Sequence, residues 1–327
     1  MSLPKVFVTR RIPGAGLEIL SRVADVDVWP DELPPSYETF TAHARGAAGL
    51  LTLVSDRVDA ALMDAAGPQL KVVANYGVGF DNIDLAAATA RGIAVGNTPG
   101  VLTETTAEMA WALLMASARR VVEADHYAHA GKWRAWDPNI LLGQDVYGST
   151  LGILGFGRIG QAVARRAQGF GMRVLYHDVQ RIPEAEQALR AEYVSFDTLL
   201  VEADFISIHA NLSPATRHLF GADQFARMKP TAILINTARG PIVDEVALYQ
   251  ALSSGQIAAA GLDVTEIEPL SMQSPLLKLE NVIITPHVAS GSVRTRAIMS
   301  KITAENIVAG LQGRPLPACV NPQVYTK

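Results

Sequence analysis

Short apolar runs alternate with longer segments of helical periodicity along the chain. A short apolar run bounded by turn residues is typical of a buried strand, and a parallel sheet needs a helix between successive strands. The alternation therefore predicts the α/β fold class, with one series of strands before residue 100 and a second after residue 148. The runs, each with its first residue, are KVFVTR (5), VDVW (26), GLLTL (49), KVVANYG (71), IAVGN (93), STLGIL (149), MRVLYHD (172), FISIHA (205), AILINTAR (232), AAGLDV (259) and NVIITPH (281).

A long helix is predicted between the two series. Proline and glycine within residues 97–100 interrupt the strand pattern, and Thr105 and Glu108 have the spacing of a capping box at a helix start. Helical spacing continues through MAWALLMASARRVVEADHYA, residues 109–128. Apolar side chains occupy more of its circumference than a surface helix shows, so we expect a second domain or a second copy of the chain to cover part of it.

The second series begins with a glycine-rich turn directly behind a strand. Gly155, Gly157 and Gly160 form the pattern G-x-G-x-x-G after the run STLGIL. In such a turn the first glycine permits the tight bend, the second lets the backbone approach a pyrophosphate, and the third lets the next helix pack against the strand. Helical spacing of apolar residues begins at Ile159, and the run MRVLYHD follows. This order of elements predicts a dinucleotide-binding βαβ unit.

The acidic residue at the end of that second strand indicates which dinucleotide binds. Asp178 lies 18 residues beyond Gly160, close to the ~20 residues at which an acid binds the ribose 2′-hydroxyl of NAD. A carboxylate at this position would repel the 2′-phosphate of NADP. Arg181 could instead turn toward that phosphate, so the sequence favours NAD and keeps NADP as the alternative.

Composition and charge exclude several classes of protein. The chain has 327 residues, more than one hydrophobic core usually holds, and its 49% hydrophobic and 18% charged residues are typical of a well-folded protein. The net charge of −4 gives no reason to expect nucleic acid or an anionic membrane as a partner. The longest apolar run, Ala110–Ala118, is far shorter than the ~20 residues of a membrane span. The single Cys319 excludes an internal disulfide, and the first residues lack the apolar core of a signal peptide, so we expect a cytoplasmic protein.

Three charged or titratable residues follow strands of the second series, where an open α/β sheet collects its functional groups. Arg239 ends the run AILINTAR, Glu268 follows AAGLDV, and His287 ends NVIITPH. Hydride transfer needs a group that gives or takes a proton and a cation that polarises the carbonyl. Each residue alone is more often a surface or structural group, but their joint placement makes them the candidate catalytic residues.

Five segments of the chain carry the motifs of a known family. They are NYGVGFDNIDLAAATARGIAVGNTPG, LGILGFGRIG, INTARGPIVDEVALYQAL, AAGLDVTEIEPL and TPHVAS. In this order, and over nearly the whole chain, they resemble the D-isomer-specific 2-hydroxyacid dehydrogenases, whose fold has a Rossmann dinucleotide-binding domain inserted into a flavodoxin-like substrate domain. The resemblance implies a substrate-binding domain of residues 1–98 and 288–327 and a Rossmann domain of residues 99–287.

Within that family, the segments GKWRAWDPN, DNID and SVRTR are similar to those of glyoxylate and hydroxypyruvate reductases. The resemblance implies that Arg239 binds and polarises a 2-oxo acid, that His287 is the acid/base, and that Glu268 orients and charges His287. Backbone N–H groups of Val78 and Gly79 would hold the substrate carboxylate. The other substrate contacts that the resemblance implies are Leu53, Ser290 and Trp136, and the cofactor contacts are Thr106, Gly155, Gly157, Arg158, Ile159, Gly160, Asp178, Arg181, Thr216, Thr237, Ala238, Asp263 and His287, with no metal.

The reaction that follows is the reduction of a 2-oxo acid. In the mechanism that the resemblance implies, protonated His287 would deliver a proton to the carbonyl oxygen as the nicotinamide supplies hydride, and Arg239 would stabilise the charge that develops there. Position 78 is valine where phosphite-oxidising relatives have a lysine, which argues against phosphite, and the loop has no added cation for a phosphorylated substrate. Two alternatives stay open: a reductase of 2-ketogluconate or another 2-oxo acid, and a nucleotide-sensing, corepressor-like binding protein.

The resemblance also implies an assembly. Relatives form dimers through the region of the long helix, so we expect a two-fold homodimer. Trp133 and Trp136 resemble aromatic residues that close the pocket in relatives, partly from the partner subunit, and packing in the dimer core is the alternative for both.

Overall fold

The chain forms two parallel β-sheets with helices between successive strands. The computed structural model describes residues 2–326. Within that range the strands are β1 (Lys5–Val8), β2 (Asp25–Val28), β3 (Gly49–Thr52), β4 (Val72–Asn75), β5 (Ala94–Gly96), β6 (Thr150–Leu154), β7 (Arg173–His177), β8 (Ala191–Tyr193), β9 (Phe205–Ile208), β10 (Ile233–Asn236), β11 (Ala259–Leu262) and β12 (Val282–Ile284). The α-helices are α1 (Gly16–Ser21), α2 (Tyr37–Ala44), α3 (Ala60–Ala66), α4 (Leu85–Ala90), α5 (Thr103–Ala118), α6 (Val121–His129), α7 (Arg158–Ala167), α8 (Pro183–Leu189), α9 (Phe196–Glu202), α10 (Ala222–Arg227), α11 (Glu245–Ser253) and α12 (Val293–Leu311).

Two compact units divide the chain. The first consists of Met1–Leu102 and Gly291–Lys327, and the second consists of Thr103–Ser290. The second unit is therefore an insertion in the first, and α12 belongs to the unit that the N-terminal residues begin.

The first unit contains the sheet of order β2-β1-β3-β4-β5, the order of flavodoxin-like sheets. Its central strands β3 and β4 are buried along their whole length, as parallel strands covered on both faces must be. Helix α12 packs on β3, β4, β5 and α1. The approach is close enough that a Cβ on Gly310 would lie 2.5 Å from the Cβ of Val72. At α1, the N–H of Gly16 donates a 3.0 Å hydrogen bond to the Oγ of Ser300.

The second unit contains the sheet of order β12-β11-β10-β9-β6-β7-β8. This is a Rossmann sheet with one strand added at the β12 edge. The four central strands β6, β9, β10 and β11 are almost completely buried. The strand order reverses between β6 and β9, so the glycine turn after β6 lies at the point where α/β sheets bind their ligands.

The long helix predicted from residue 105 is in fact two helices. Helix α5 begins at Thr103, so Thr105 lies inside its first turn and does not cap it. The helix ends at Ala118, and Arg120 adopts a left-handed conformation with φ of 51° before α6 starts at Val121. That backbone conformation breaks the helical hydrogen-bond pattern, which apolar periodicity alone does not reveal.

Helix α5 is covered mainly by its own unit. It packs against α7 and against β10, β11 and β12, and it buries Trp111 and Leu114. The second unit itself thus buries most of the apolar surface of α5. We had expected another domain or a second copy of the chain to bury part of that surface. The exposed apolar side chains lie instead on and after α6, in residues 121–147.

No helix within residues 2–326 has the length and apolarity needed to cross a membrane.

Candidate active site

The carboxyl edge of the seven-stranded sheet carries most of the predicted site residues. Its strands run parallel, so the loops that leave their carboxyl ends line one edge of the sheet. Ligands bind at this edge in open α/β sheets. In the spatial order of the strands, the loops carry Asp178 after β7, the glycine turn after β6, Thr216 after β9, Arg239 after β10, Glu268 after β11 and His287 after β12.

Each glycine of the turn has its own steric reason. Gly155 has a φ of 88°, and a Cβ there would lie 2.5 Å from the backbone nitrogen of Ala210. A Cβ on Gly160 would lie 2.2 Å from the oxygen of Gly155, so only glycine lets α7 start this close to β6. Nothing lies within 4 Å of a Cβ built at Gly157. This open space beside the N-terminus of α7, where Arg158 and Ile159 begin the helix, fits a pyrophosphate group.

Asp178 and Arg181 have different partners. The Oδ2 of Asp178 accepts a 2.6 Å hydrogen bond from the N–H of Phe156 in the glycine turn. The Nε and Nη2 of Arg181 each lie 2.8 Å from a carboxylate oxygen of Glu186. The hydrogen bonds from Arg181 and from the hydroxyl of Tyr176 lower the pKa of Glu186 to about 2. Arg181 would have to leave this bidentate pair to reach an added phosphate.

A buried hydroxyl at the same edge also fits a bound cofactor. Thr237 follows β10 and is 8% exposed, and its Oγ1 makes no hydrogen bond within the described part of the chain. Buried hydroxyl groups seldom stay unpaired, so this atom suits a polar group of a ligand. Thr106 on α5 is buried as well, whereas the Oγ1 of Thr216 already donates to the carbonyl of Asn211 at 2.7 Å. The glycine turn, Asp178 and Thr237 together fit a nicotinamide dinucleotide.

His287 and Glu268 form a hydrogen-bonded pair. The Nδ1 of His287 lies 2.7 Å from the Oε2 of Glu268, and the side chains are 33% and 37% exposed. The other carboxylate oxygen accepts a 3.1 Å bond from the N–H of Thr265. Because Nδ1 faces the carboxylate, Nε2 is the ring nitrogen left to exchange a proton with a ligand. This is the arrangement of a general acid/base with an orienting carboxylate.

The pKa of Glu268 lies below the usual value of a glutamate. Burial of the carboxyl group works in the opposite direction, but the hydrogen bond and charge of His287, the bond from Thr265 and the charge of Arg239 together outweigh it. The carboxylate is therefore ionised at neutral pH and faces the imidazole of His287 as an anion.

A buried aspartate holds the loop that carries His287. Asp263 is 1% exposed, and its carboxylate accepts bonds from the N–H groups of Val288 and Ala289 at 2.9 and 2.7 Å and from the hydroxyl of Thr285 at 2.5 Å. Its carbonyl accepts the N–H of His287 at 2.8 Å. These bonds hold His287 at a φ of 53°, which is uncommon for a residue other than glycine. The structure thus adds a loop-positioning role for Asp263, and its predicted contact with the cofactor stays a prediction.

Arg239 is half-buried in the loop after β10. Its Nη1 donates to the carbonyl of Ala238 at 2.7 Å. The next residue, Gly240, packs so closely on the loop after β11 that a Cβ there would lie 1.8 Å from the oxygen of Thr265. This contact joins the arginine loop to the glutamate loop, and the charge of Arg239 lowers the pKa of Glu268.

The first unit has two candidate loops of its own. The half-buried Leu53 follows β3, and its N–H donates a 2.8 Å bond to the buried carboxylate of Asp56. Val78 and Gly79 follow β4, and their carbonyls accept bonds of 2.8 and 2.7 Å from two asparagine side chains. These bonds fix both loops from within the unit.

Two further predicted residues belong to the second unit. Ser290 is the last residue of that unit and lies three positions after His287. Trp136 is 83% exposed in the segment between α6 and β6. Within its own unit, Trp136 is a surface residue.

Comparison with known proteins gives the family. Residues 111–289 match the NAD binding domain of the D-isomer specific 2-hydroxyacid dehydrogenases. A glyoxylate reductase from Korarchaeum cryptofilum is 54% identical over 322 residues, which cover 98% of this chain and 97% of that protein. A glyoxylate reductase from Thermococcus litoralis is 48% identical over 327 residues, with coverage of 99% and 98%.

A solved structure extends the likeness to the fold. An NADPH-dependent glyoxylate/hydroxypyruvate reductase from Sinorhizobium meliloti, in complex with NADP and malonate, is 34% identical with a TM-score of 0.87 and covers 99% of this chain and 98% of its own. Since the domain match spans more than half of the chain and the relatives extend over almost all of it, the chain belongs to the D-isomer specific 2-hydroxyacid dehydrogenase family, a family of oxidoreductases.

Proposed function

We propose that this enzyme reduces a small 2-oxo acid, glyoxylate or hydroxypyruvate, to the D-2-hydroxy acid with NADH. The observation that carries the proposal is the 2.7 Å pair of His287 and Glu268, with the charge of Arg239 acting on the same carboxylate. His287 supplies a proton donor, Glu268 a carboxylate that orients it, and Arg239 a cation for a carbonyl oxygen. Relatives named glyoxylate reductase, one of them 54% identical, support a small acid as the substrate.

The proposed mechanism assigns one task to each residue. A nicotinamide dinucleotide, when bound, supplies the hydride, and the glycine turn with Asp178 would hold it. Arg239 binds the 2-oxo acid and stabilises the negative charge that develops on its carbonyl oxygen. His287 donates the proton from Nε2 to that oxygen, which completes the alcohol. Backbone N–H groups of Val78 and Gly79 hold the carboxylate.

A steady-state panel of 2-oxo acids tests the substrate. We expect kcat/KM with NADH to be at least about tenfold higher for glyoxylate and hydroxypyruvate than for 2-ketogluconate, because a site built for a small acid discriminates against a longer chain. A higher value for 2-ketogluconate would assign the enzyme to longer acids. Absence of turnover with every acid of the panel would remove the proposal.

We further propose NADH as the preferred cofactor. The carboxylate of Asp178 lies beside the glycine turn, and Arg181 is held by Glu186. The relative from Sinorhizobium meliloti is named NADPH-dependent at 34% identity, so membership in the family does not decide between the two cofactors.

Asp178→Ala should lower the preference for NADH over NADPH by about 10- to 100-fold, because removal of the carboxylate removes a like-charge repulsion of the 2′-phosphate. The measurement is the ratio of kcat/KM values for the two cofactors. Asp197→Ala serves as the control, since Asp197 is a surface acid of the same unit paired with Arg227. A wild-type enzyme that turns over faster with subsaturating NADPH would contradict the assignment and point to Arg181.

Glu268→Gln should move the alkaline limb of the pH profile of reduction to lower pH. The lowered pKa of Glu268 keeps its carboxylate charged at neutral pH, so the wild-type imidazole faces an anion. Glutamine retains a hydrogen bond but no charge, and the acid form of His287 is then lost earlier as pH rises. The measurement is kcat/KM for glyoxylate from pH 5 to 9.

The chain offers a matched control for this variant. His218 and Glu266 form a second pair at 2.6 Å in the same unit, 42% and 28% exposed. Glu266→Gln should leave the alkaline limb in place. If Glu268→Gln kept the wild-type limb as well, Glu268 would be a loop acid without a role in proton transfer.

We also propose a homodimer. Large apolar side chains between α6 and β6 are strongly exposed, among them Trp133 (71%), Trp136 (83%), Leu142 (65%) and Tyr147 (79%). Such clustered exposure marks an interface, and a two-fold copy of the chain is the partner we expect to cover it. Sedimentation at micromolar concentration should give twice the chain mass of 35.0 kDa, and a monomer would contradict the proposal. The single cysteine favours a reducing compartment, so we propose the cytoplasm as the location.

A further inference from the structure

In the loop after β4, residues 77–79 have their carbonyl groups hydrogen-bonded while their N–H groups donate no bond within residues 2–326. Three consecutive carbonyls accept hydrogen bonds from neighbouring parts of the first unit. The N–H groups of residues 77–80 donate none to any atom of residues 2–326. The three bonds run from the N–H of Thr98 to Gly77 O at 2.9 Å, from the Nδ2 of Asn97 to Val78 O at 2.8 Å, and from the Nδ2 of Asn75 to Gly79 O at 2.7 Å.

Peptide geometry fixes the direction of the N–H group that follows each hydrogen-bonded carbonyl. In a planar trans peptide, the C=O of one residue and the N–H of the next point in opposite directions. Holding Val78 O therefore turns the Gly79 N–H away from the bonded side, and holding Gly79 O does the same to the Phe80 N–H. The bond on Gly77 O orients the Val78 N–H in the same manner. Successive N–H groups left in this way form a binding site for a small anion.

The asparagine behind Gly79 belongs to a buried network. Asn75 is the last residue of β4 and is fully buried, and its Oδ1 accepts the hydroxyl of Thr52 at 3.0 Å. Its Nδ2 also donates to the Oδ1 of Asn82 at 3.0 Å. Asn82 in turn donates to the carbonyls of Leu53 and Asp56 at 3.0 and 2.8 Å. The loops after β3 and β4 are thus held by one set of amide side chains.

The asparagine behind Val78 is fixed from a different strand. Asn97 follows β5 and is 6% exposed. Its own N–H donates to the carbonyl of Ala318 at 3.1 Å, and its carbonyl accepts the side-chain amide of Asn306 at 3.1 Å. With the backbone of Asn97 held on both sides, its Nδ2 donates to the carbonyl of Val78 at 2.8 Å.

We infer that Asn97 and Asn75 are positioning residues for the carboxylate of the substrate. They hold the carbonyls of Val78 and Gly79 so that the N–H groups of Gly79 and Phe80 stay available to the anion. The Phe80 N–H is then a third donor beside the two assigned above. This inference rests on the proposed function, which places the carboxylate at this loop.

Asn97→Ala should raise KM for glyoxylate by about 10- to 100-fold, because the freed peptide no longer presents its N–H to a charged group. Asn97→Asp keeps the size and shape of the side chain but cannot donate to Val78 O, so it should raise KM similarly and serves if the alanine variant does not fold. For both variants we expect kcat and the KM for NADH to change less than about threefold.

Two comparisons distinguish a role of Asn97 in positioning the loop from a role in the stability of the fold alone. Asn321→Ala removes another buried asparagine of the same unit, whose side chain bonds the backbone of Val95 and Ile93. It should lower the melting temperature without raising KM. In the Asn97 variants, kcat/KM should fall for glyoxylate but not for its uncharged amide, since only the acid needs the oriented donors. An equal fall for acid and amide, or an unchanged KM in a folded variant, would overturn the inference.

Oxalate binding distinguishes failure of this inference from failure of the proposed function. If the wild-type enzyme reduces neither glyoxylate nor hydroxypyruvate, the proposed function fails, and calorimetry with oxalate in the presence of NADH then tests the loop by itself. We expect oxalate to bind at least about tenfold more weakly to Asn97→Ala than to wild type. Equal affinities, or no binding of oxalate to wild type, would contradict the role of Asn97.

Discussion

Replacement of His287 by alanine should lower kcat for glyoxylate reduction by about 10²- to 10⁴-fold, the range that general acid catalysis contributes. Asp263 holds the loop that carries His287 by accepting hydrogen bonds from backbone N–H groups and from the hydroxyl of Thr285. The side chain is therefore removed without loss of these bonds, and the Kd for NADH should change less than about threefold. Steady-state rates and a fluorescence titration with NADH measure the two quantities.

The second histidine–glutamate pair, His218 and Glu266, provides a control for the His287→Ala variant. His218 has a φ of 51° and lies 2.6 Å from Glu266, so it matches His287 in backbone conformation and in its carboxylate partner. His218→Ala should retain near-normal kcat. A His287→Ala enzyme with near-normal turnover, or equal losses in both variants, would remove His287 from the mechanism.

Replacement of Arg239 by alanine should damage both binding and rate. The same cation binds the 2-oxo acid in the ground state and stabilises the negative charge in the transition state, so KM should rise about tenfold and kcat should fall by about 10²- to 10³-fold. Steady-state kinetics with glyoxylate separates the two effects. Arg239→Lys should recover only part of the loss, because an ammonium group cannot reproduce the planar, bidentate contact of a guanidinium with a carboxylate.

A surface arginine provides the control for Arg239. Arg173 pairs with Glu192 and Glu202 at the start of β7, the opposite end of that strand from the site. Arg173→Ala should leave both kinetic constants close to wild type. If Arg239→Ala raised KM with an unchanged kcat, Arg239 would bind the substrate without stabilising the transition state.

Central strands were easier to predict than a short strand at the edge of a sheet. Central strands such as β3, β9 and β10 are buried on both faces, so each appears in the sequence as an unbroken apolar run. Strand β8 was missed because it has only three residues at the edge of its sheet and contains the exposed Glu192. A short edge strand needs no apolar run, since only its pairing with β7 defines it.

Helix boundaries depended on local backbone geometry that residue types do not fix. Thr105 and Glu108 have the spacing of a capping box, yet the same spacing lies inside α5. The break at Arg120 requires a left-handed backbone at an arginine, a conformation that is rare and has no sequence signature.

The site residues that directly follow a strand could be predicted from the sequence. The residues that act through hydrogen bonds between distant parts of the chain could not. Arg239, Glu268 and His287 each follow a recognisable strand, and the structure places the last two within 2.7 Å of each other. Asn97 and Val78 are 19 positions apart, and Asn82 and Leu53 are 29 apart. Such amide contacts form only after the strands are aligned, so no local pattern marks them. An asparagine at the end of a strand was the one available signal, because strands are depleted in this residue.

The insertion of one unit into the other dictates an order for folding during synthesis. All strands of the seven-stranded sheet have left the ribosome once Ser290 has emerged, and domains fold as units as they become complete. The first unit still lacks α12 at that time, so the face of β3 and β4 on which this helix packs stays open until residues 293–311 have been translated. The loop with Val78 and Gly79 is therefore among the first segments to be made and among the last to acquire its finished surroundings.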